Sequence, residues 1–223
     1  MTRYSACVAV CAAGVFGTTA MAQISGGDYV VFGNGQPPAA NDSISNTAVV
    51  GGTSTYTHGT GTPPNTLNIT GLNFVNVAPE TEFRIADLMY LNAVTGGTSA
   101  TSVDCNVNMV FTAPAPALAT FGFTLGFLVT PNNSNPLSNP ANDDFLYFPN
   151  SFASVPVNIG GTDYFLEILG FRVTANSPLL AQFRLPEETT STGGLYARFT
   201  TVPTPGAAAL AAIGGLVMSR RRR

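Results

Sequence analysis

The chain has 223 residues and a mass of 23.1 kDa, room for one ordinary domain with short terminal segments. Only 9% of residues are charged, Lys and Trp are absent, and Gly and Pro number 23 and 16, which excludes a coiled coil, a long helical bundle and a basic nucleic-acid binder. A hydrophobic content of 45% with 15 Phe excludes a disordered acidic chain and leaves a turn-rich all-β domain. Charge is segregated along the chain. All 12 acidic residues lie between Asp28 and Glu188, the body carries Arg84, Arg172, Arg184 and Arg198, and the last four positions are all Arg.

Residues 1–22 have the three parts of a secretory leader. Arg3 gives a positive start, Ala6 to Phe16 an apolar stretch, and Ala20-Met21-Ala22 an A-x-A cleavage site before Gln23. A buried N-terminal helix would need no such site. The expectation is export, with signal peptidase cutting after Ala22.

From Gln23 to Thr201 the dominant signal is alternation. Phe121, Phe123, Leu125, Phe127 and Val129 point one way, against Gly122, Thr124, Gly126, Leu128 and Thr130. Tyr164, Leu166 and Ile168 alternate with Phe165, Glu167 and Leu169, which predicts a strand covered on both faces. Gly160-Gly161, between Val155–Ile159 and Thr162 onwards, is a two-residue hairpin signal. Further strands are expected near 28–32, 47–56, 66–75, 82–94, 101–112, 144–148, 179–185 and 194–201. Turn clusters such as residues 131–136 separate them. Ten or so short strands without a helix predict an antiparallel β-sandwich, jelly-roll-like, in a single domain over 23–201.

Chemistry is sparse in this body. Cys105 alternates with Asp104 and Asn106 on the apolar side of Val103–Phe111, so it reads as a core residue without a basic or His neighbour to activate it. His58, the only histidine, stands before Gly59-Thr60-Gly61 and reads as an exposed loop residue; no G-x-S-x-G elbow accompanies it. One His and one buried Cys do not make a zinc set. Gly59, Gly61, Gly96 and Gly97 read as turn glycines outside any phosphate-binding fingerprint. Asn142-Asp143-Asp144 offers oxygens to Ca²⁺, but no D-x-D-x-D-G loop surrounds Asp143 and Asp144, and a turn-capping role is the preferred expectation. Glu80 with Glu82, or Glu187 with Glu188, would be a glycosidase pair only across a cleft; surface solubility is the default.

After Val202 come Pro203-Thr204-Pro205, then Gly206 to Met218 without a charge, then Ser219 and Arg220, Arg221, Arg222 and Arg223. Residues 206–218 as a helix cover about 20 Å, short of the ~30 Å hydrocarbon core, although arginines reaching back to the headgroups extend that span. The arginines belong on the cytoplasmic side of a membrane whose other side holds the body. No polar face exists for a surface helix. The order of Pro-x-Pro, short apolar helix and terminal arginines resembles the PEP-CTERM protein-sorting signal, with Thr204 where that family usually has Glu. The resemblance implies that Pro203 and Pro205 are read by an exosortase, a membrane-embedded cysteine transpeptidase-like enzyme, and that Arg220–Arg223 are the retention stop.

Stretches of the body resemble the bacterial choice-of-anchor K domain: Gly71–Asn76, Phe83–Asn92, Val103–Val107 and Tyr164–Phe171. That resemblance implies an extracellular domain joined to a surface-anchoring tail and carries over no catalytic residue.

The combined expectation is a non-enzymatic exported protein: leader 1–22, sandwich 23–201 and sorting signal 202–223. It would pass the inner membrane, be held there transiently, and reach the cell surface or matrix as a structural or adhesive component associated with exopolysaccharide. Its partners would be the export machinery, signal peptidase and exosortase, with no nucleic acid. The rival expectation is a lectin-like carbohydrate-binding sandwich on a plain membrane anchor, with Ca²⁺ as its one candidate cofactor near Asp143 and Asp144. An envelope hydrolase ranks third, because no acid–base constellation is visible.

Overall fold

The computed structural model describes residues 22–95, 100–132, 134–149 and 156–201. The expected leader through residue 21 with Ala20, the expected turn at Gly96-Gly97, and the residues from 202 onward, with Pro203, Pro205, the expected apolar helix and Arg220–Arg223, lie outside them. Among the described residues no helix is long and apolar enough to cross a membrane.

Period-two sequence folds here into two antiparallel sheets packed face to face. In chain order the strands are β1 (Ile24–Gln36), β2 (Ser43–Ser45), β3 (Thr53–His58), β4 (Asn65–Gly71), β5 (Asn73–Val77), β6 (Glu82–Asn92) and β7 (Ser102–Ala113). They continue as β8 (Ala117–Leu128), β9 (Asp144–Tyr147), β10 (Pro156–Ile159), β11 (Thr162–Arg172), β12 (Gln182–Leu185) and β13 (Thr189–Thr201). A six-stranded sheet has the order β12-β9-β8-β7-β1-β5 and a seven-stranded sheet the order β10-β11-β13-β6-β4-β3-β2. The only helical element among the described residues is a 3₁₀ turn at Pro140–Asn142.

Alternation places Val103, Cys105, Val107, Met109 and Phe111 of β7 and Phe121, Phe123, Leu125 and Phe127 of β8 in the core, as their period predicts. Val129 lies beyond β8 and is exposed. The covered-strand expectation for β11 is corrected: Tyr164, Leu166 and Ile168 are buried, while Phe165, Glu167 and Leu169 remain partly exposed. At one end of the core Phe74, Phe83, Phe111 and Phe199 pack with ring centroids 5.0–6.1 Å apart. Each such buried ring contributes about 1.5–3 kcal/mol. Gly160 and Gly161, at φ 61° and 86°, make the β10–β11 hairpin turn that the sequence signals.

Two predicted strands are interrupted. In the stretch 47–56 a turn occupies Val49–Gly52 and strand begins only with β3 at Thr53, β2 lying upstream of the stretch, while 66–75 divides into β4 and β5 at Leu72. At Leu72 the chain leaves the seven-stranded sheet for the six-stranded one. It does so against Asp28 of β1, whose N–H donates to the Leu72 carbonyl at 2.9 Å and whose Oδ1 accepts the Leu72 N–H at 3.3 Å. A Cβ on Gly71 would lie 2.1 Å from the Asp28 carbonyl oxygen, so only glycine permits this approach.

Strand register also defines two poles. Ile24 pairs with Val77, Thr201 with Tyr164, and the Glu80 N–H donates to the Phe199 carbonyl, so both ends of the domain leave from one pole. His58 faces Asn65, Asn92 faces Thr189 and Leu185 faces Asp144 at the other, which carries the longer loops.

Asp28 is fully buried, and burial pushes its carboxyl up from 3.8 to about 8, against the opposing Leu72 N–H. The native chain therefore holds a proton that the unfolded chain releases near pH 4. Stability from this group is complete below that pH and is lost as pH rises through 8. Asp28→Asn keeps an oxygen for Leu72 and cannot ionise. Urea unfolding across pH 4–9 should find the variant level with the parent at the acid end and more stable by on the order of a few kcal/mol at pH 9.

Candidate functional site

The loop pole gathers most of the buried polar side chains. Strand ends deliver them: His58 from β3, Asn65 from β4, Asn92 from β6, Asp144 from β9, and Glu187 from the turn into β13.

The expectation of an exposed loop histidine is overturned. β3 continues through residue 58 with Ser54, Tyr56 and His58 all inward, and His58 is fully buried. Its Nε2 lies 2.7 Å from the Tyr90 hydroxyl, while the ring stacks on Tyr56 at 5.5 Å and meets Phe127 at 4.6 Å. Burial lowers its pKa to about 4, with Asp42 pulling the other way. Tyr90 is pushed well above the usual phenol range, chiefly by burial, so both partners stay neutral near pH 7. The second tyrosine, Tyr56, donates its hydroxyl to Asp42 Oδ2 at 2.9 Å. The hydrogen-bond partner of His58 is thus a phenol within an aromatic plug, not a serine nucleophile, and the histidine Nδ1 makes no hydrogen bond.

The Asn142-Asp143-Asp144 run acts mainly as a clasp. The Asn142 carboxamide donates to the carbonyls of Ser134 and Leu137 and accepts the Ser134 N–H, closing the Pro/Asn loop. Asp144 Oδ1 accepts the Thr130 N–H at 2.7 Å, and burial raises this carboxyl to about 6 despite that bond, with Glu187 adding to the rise. Asp143, 1% exposed, pairs through Oδ2 with the half-exposed Arg184. Asn92 Nδ2 ties the two sheets by donating to the Leu185 carbonyl at 2.9 Å.

Neither glutamate pair spans a cleft. Glu187 is buried, not a surface solubiliser, and burial raises its pKa. Its neighbour Glu188 lines a cleft of about 270 Å³ with Thr62, Pro63, Leu91, Asn92, Ala93 and Val94. Glu80 and Glu82 sit at the opposite pole, where Glu80 Oε1 accepts the Thr201 N–H and Glu82 pairs with Arg172. Cys105 is fully buried, as expected, and burial drives its thiol well above the ordinary range. Oxygens without a hydrogen-bond partner remain on Asp143 (Oδ1), Glu187 (Oε2) and Asn132 (Oδ1). Among the described residues, no three His, Cys, Asp or Glu side chains are gathered as a metal-ligand set. No protein-family model and no curated protein sequence matches the chain.

Two measurements follow from this geometry. Imidazole NMR should show His58 neutral from pH 8 to 5, titrating near pH 4; a midpoint above 6 would mean the ring is solvated. Arg184→Ala leaves the buried Asp143 carboxylate without its cation and should cost about 1–3 kcal/mol in urea unfolding. Adding Asp143→Asn to that variant should recover most of the loss.

Proposed function

We propose that this chain is an exported, non-enzymatic surface or matrix protein. In this reading 1–22 is the leader, 23–201 a jelly-roll-like sandwich and 202–223 an exosortase-type sorting signal with a short apolar helix. The observation that carries it is the ordered terminal pattern Pro203-x-Pro205, Gly206–Met218, Arg220–Arg223. Supporting it, the domain's two ends lie at one pole, so a C-terminal tether at the membrane turns the loop pole away from it. The tail would hold the precursor in the inner membrane until an exosortase cleaves near Val202–Pro205, releasing the sandwich to an exopolysaccharide-rich surface.

Two results test this. Mass spectrometry of the mature C-terminal peptide from the native host, with fractionation, should find a chain ending near Val202–Pro205 at the surface or in the matrix. An intact Arg223 in the membrane fraction would reduce the tail to a plain anchor. Deleting Arg220–Arg223 should release or mis-sort the precursor, and unchanged localisation would refute a retention role.

A further inference from the structure

The outward face of the six-stranded sheet carries a row of polar side chains across β7 and β8. Because Cys105, Val107, Phe121 and Phe123 turn inward, their neighbours line up outside. Asp104 stands opposite Thr124, Asn106 opposite Gly122, and Asn108 opposite Thr120. The threonines orient two of these groups: Thr124 Oγ1 donates to Asp104 Oδ1 at 2.9 Å and Thr120 Oγ1 to Asn108 Oδ1 at 2.7 Å.

Between them the surface is hollowed by missing side chains. A Cβ on Gly122 would touch only Asn106 Oδ1, at 3.2 Å, and one on Gly33 of β1 would meet Asp104 Cβ at 3.2 Å. The resulting trough holds a cleft of about 350 Å³ lined by Asp104, Asn106, Gly122 and Thr124. An aromatic ring stands at each end. Tyr29, beside Asn108, is half-buried on β1. Tyr147 of β9 lies over Gly126, where a Cβ would come within 2.5 Å of the ring. Three strand spacings and six residues of rise separate the two rows, a diagonal of roughly 25 Å.

We propose that this trough binds a neutral glycan chain, a deepening that rests on the exopolysaccharide association proposed above. Sugar hydroxyls both donate and accept, and a floor of amides, hydroxyls and one carboxylate answers both roles. Tyrosine rings offer flat apolar platforms with a polar tip, suited to the C–H faces of a pyranose. The floor has no cation to neutralise an anionic polymer, and the nearest arginine on this sheet, Arg184, is paired with Asp143. Loop-pole carboxylates take no part, so binding needs no metal.

The test uses the full exported chain purified from its host in detergent, incubated with cellulose and with xylan and galactomannan covalently fixed to beads, and with alginate covalently fixed to the same beads as the anionic control. Retention on at least one neutral glycan, equal in EDTA and in Ca²⁺ and absent on alginate, is the expected result. Gly122→Ile places a strand-favouring side chain in the notch and should cut retention at least tenfold with no loss in melting temperature. Asn106→Ala removes a floor group without adding bulk and should also weaken it. No retention on any neutral glycan, retention that requires Ca²⁺, preference for alginate, or wild-type binding by both variants would each overturn the proposal. The C-terminal peptide from the same preparation reports sorting independently, so failure here is distinguishable from failure of the sorting function.

Discussion

The contact between Asp28 and the Leu72 peptide is the hinge on which the sandwich closes. β1 belongs to the six-stranded sheet, yet at Asp28 it bonds the residue where the chain passes out of the seven-stranded one. The Asp28 carbonyl also accepts the Gly51 N–H, so three chain segments meet at one residue. A carboxyl sits there with its Oδ2 unbonded and stays protonated through neutrality. Burying it without a cation is tolerable only because it gives up its charge. With the Asn92 bond to the Leu185 carbonyl, the Asp28–Leu72 contact gives the two sheets hydrogen-bonded ties at separate places along the core.

Polar residues fall into two populations with different work. At the loop pole they are buried and mostly spent on holding the chain together: Asn142 closes a loop and Asn92 ties the sheets through backbone carbonyls, and His58 with Tyr90 completes an aromatic plug. On the outer sheet face Asp104, Asn106 and Asn108 are at least partly open to solvent and aligned by the pleat. The first population specifies the fold, since an unsatisfied buried group is costly. The second adds little to the core.

Much of this fold was legible in the sequence, because one-sided burial imposes period two. The runs at 103–111 and 121–127 and the Gly160-Gly161 turn behave as their patterns say. What failed was anything set by a distant partner. His58 shares the inward parity of Ser54 and Tyr56, but the following Gly-Thr-Gly masked it as loop. The parity of Asp28 with Val30 and Phe32 places it inside, while the N–H that accommodates it comes from 44 residues away. The burial of Glu187 beside Asp143 follows from β9–β12 pairing, which no local signal announces. Likewise Asn106 was visible as outward, but Gly122 opposite it is a matter of hairpin register.

The position of β13 has a mechanical consequence. It lies inside the seven-stranded sheet, hydrogen-bonded on both sides to β11 and β6, and the chain leaves it at Thr201 along the strand direction. A pull on the polypeptide beyond Thr201, resisted elsewhere on the domain, loads both ladders of β13 in shear. Many bonds must then yield together instead of unzipping singly. Short outer strands such as β2 and β10 would peel under far less force, and neither one carries the exit of the chain.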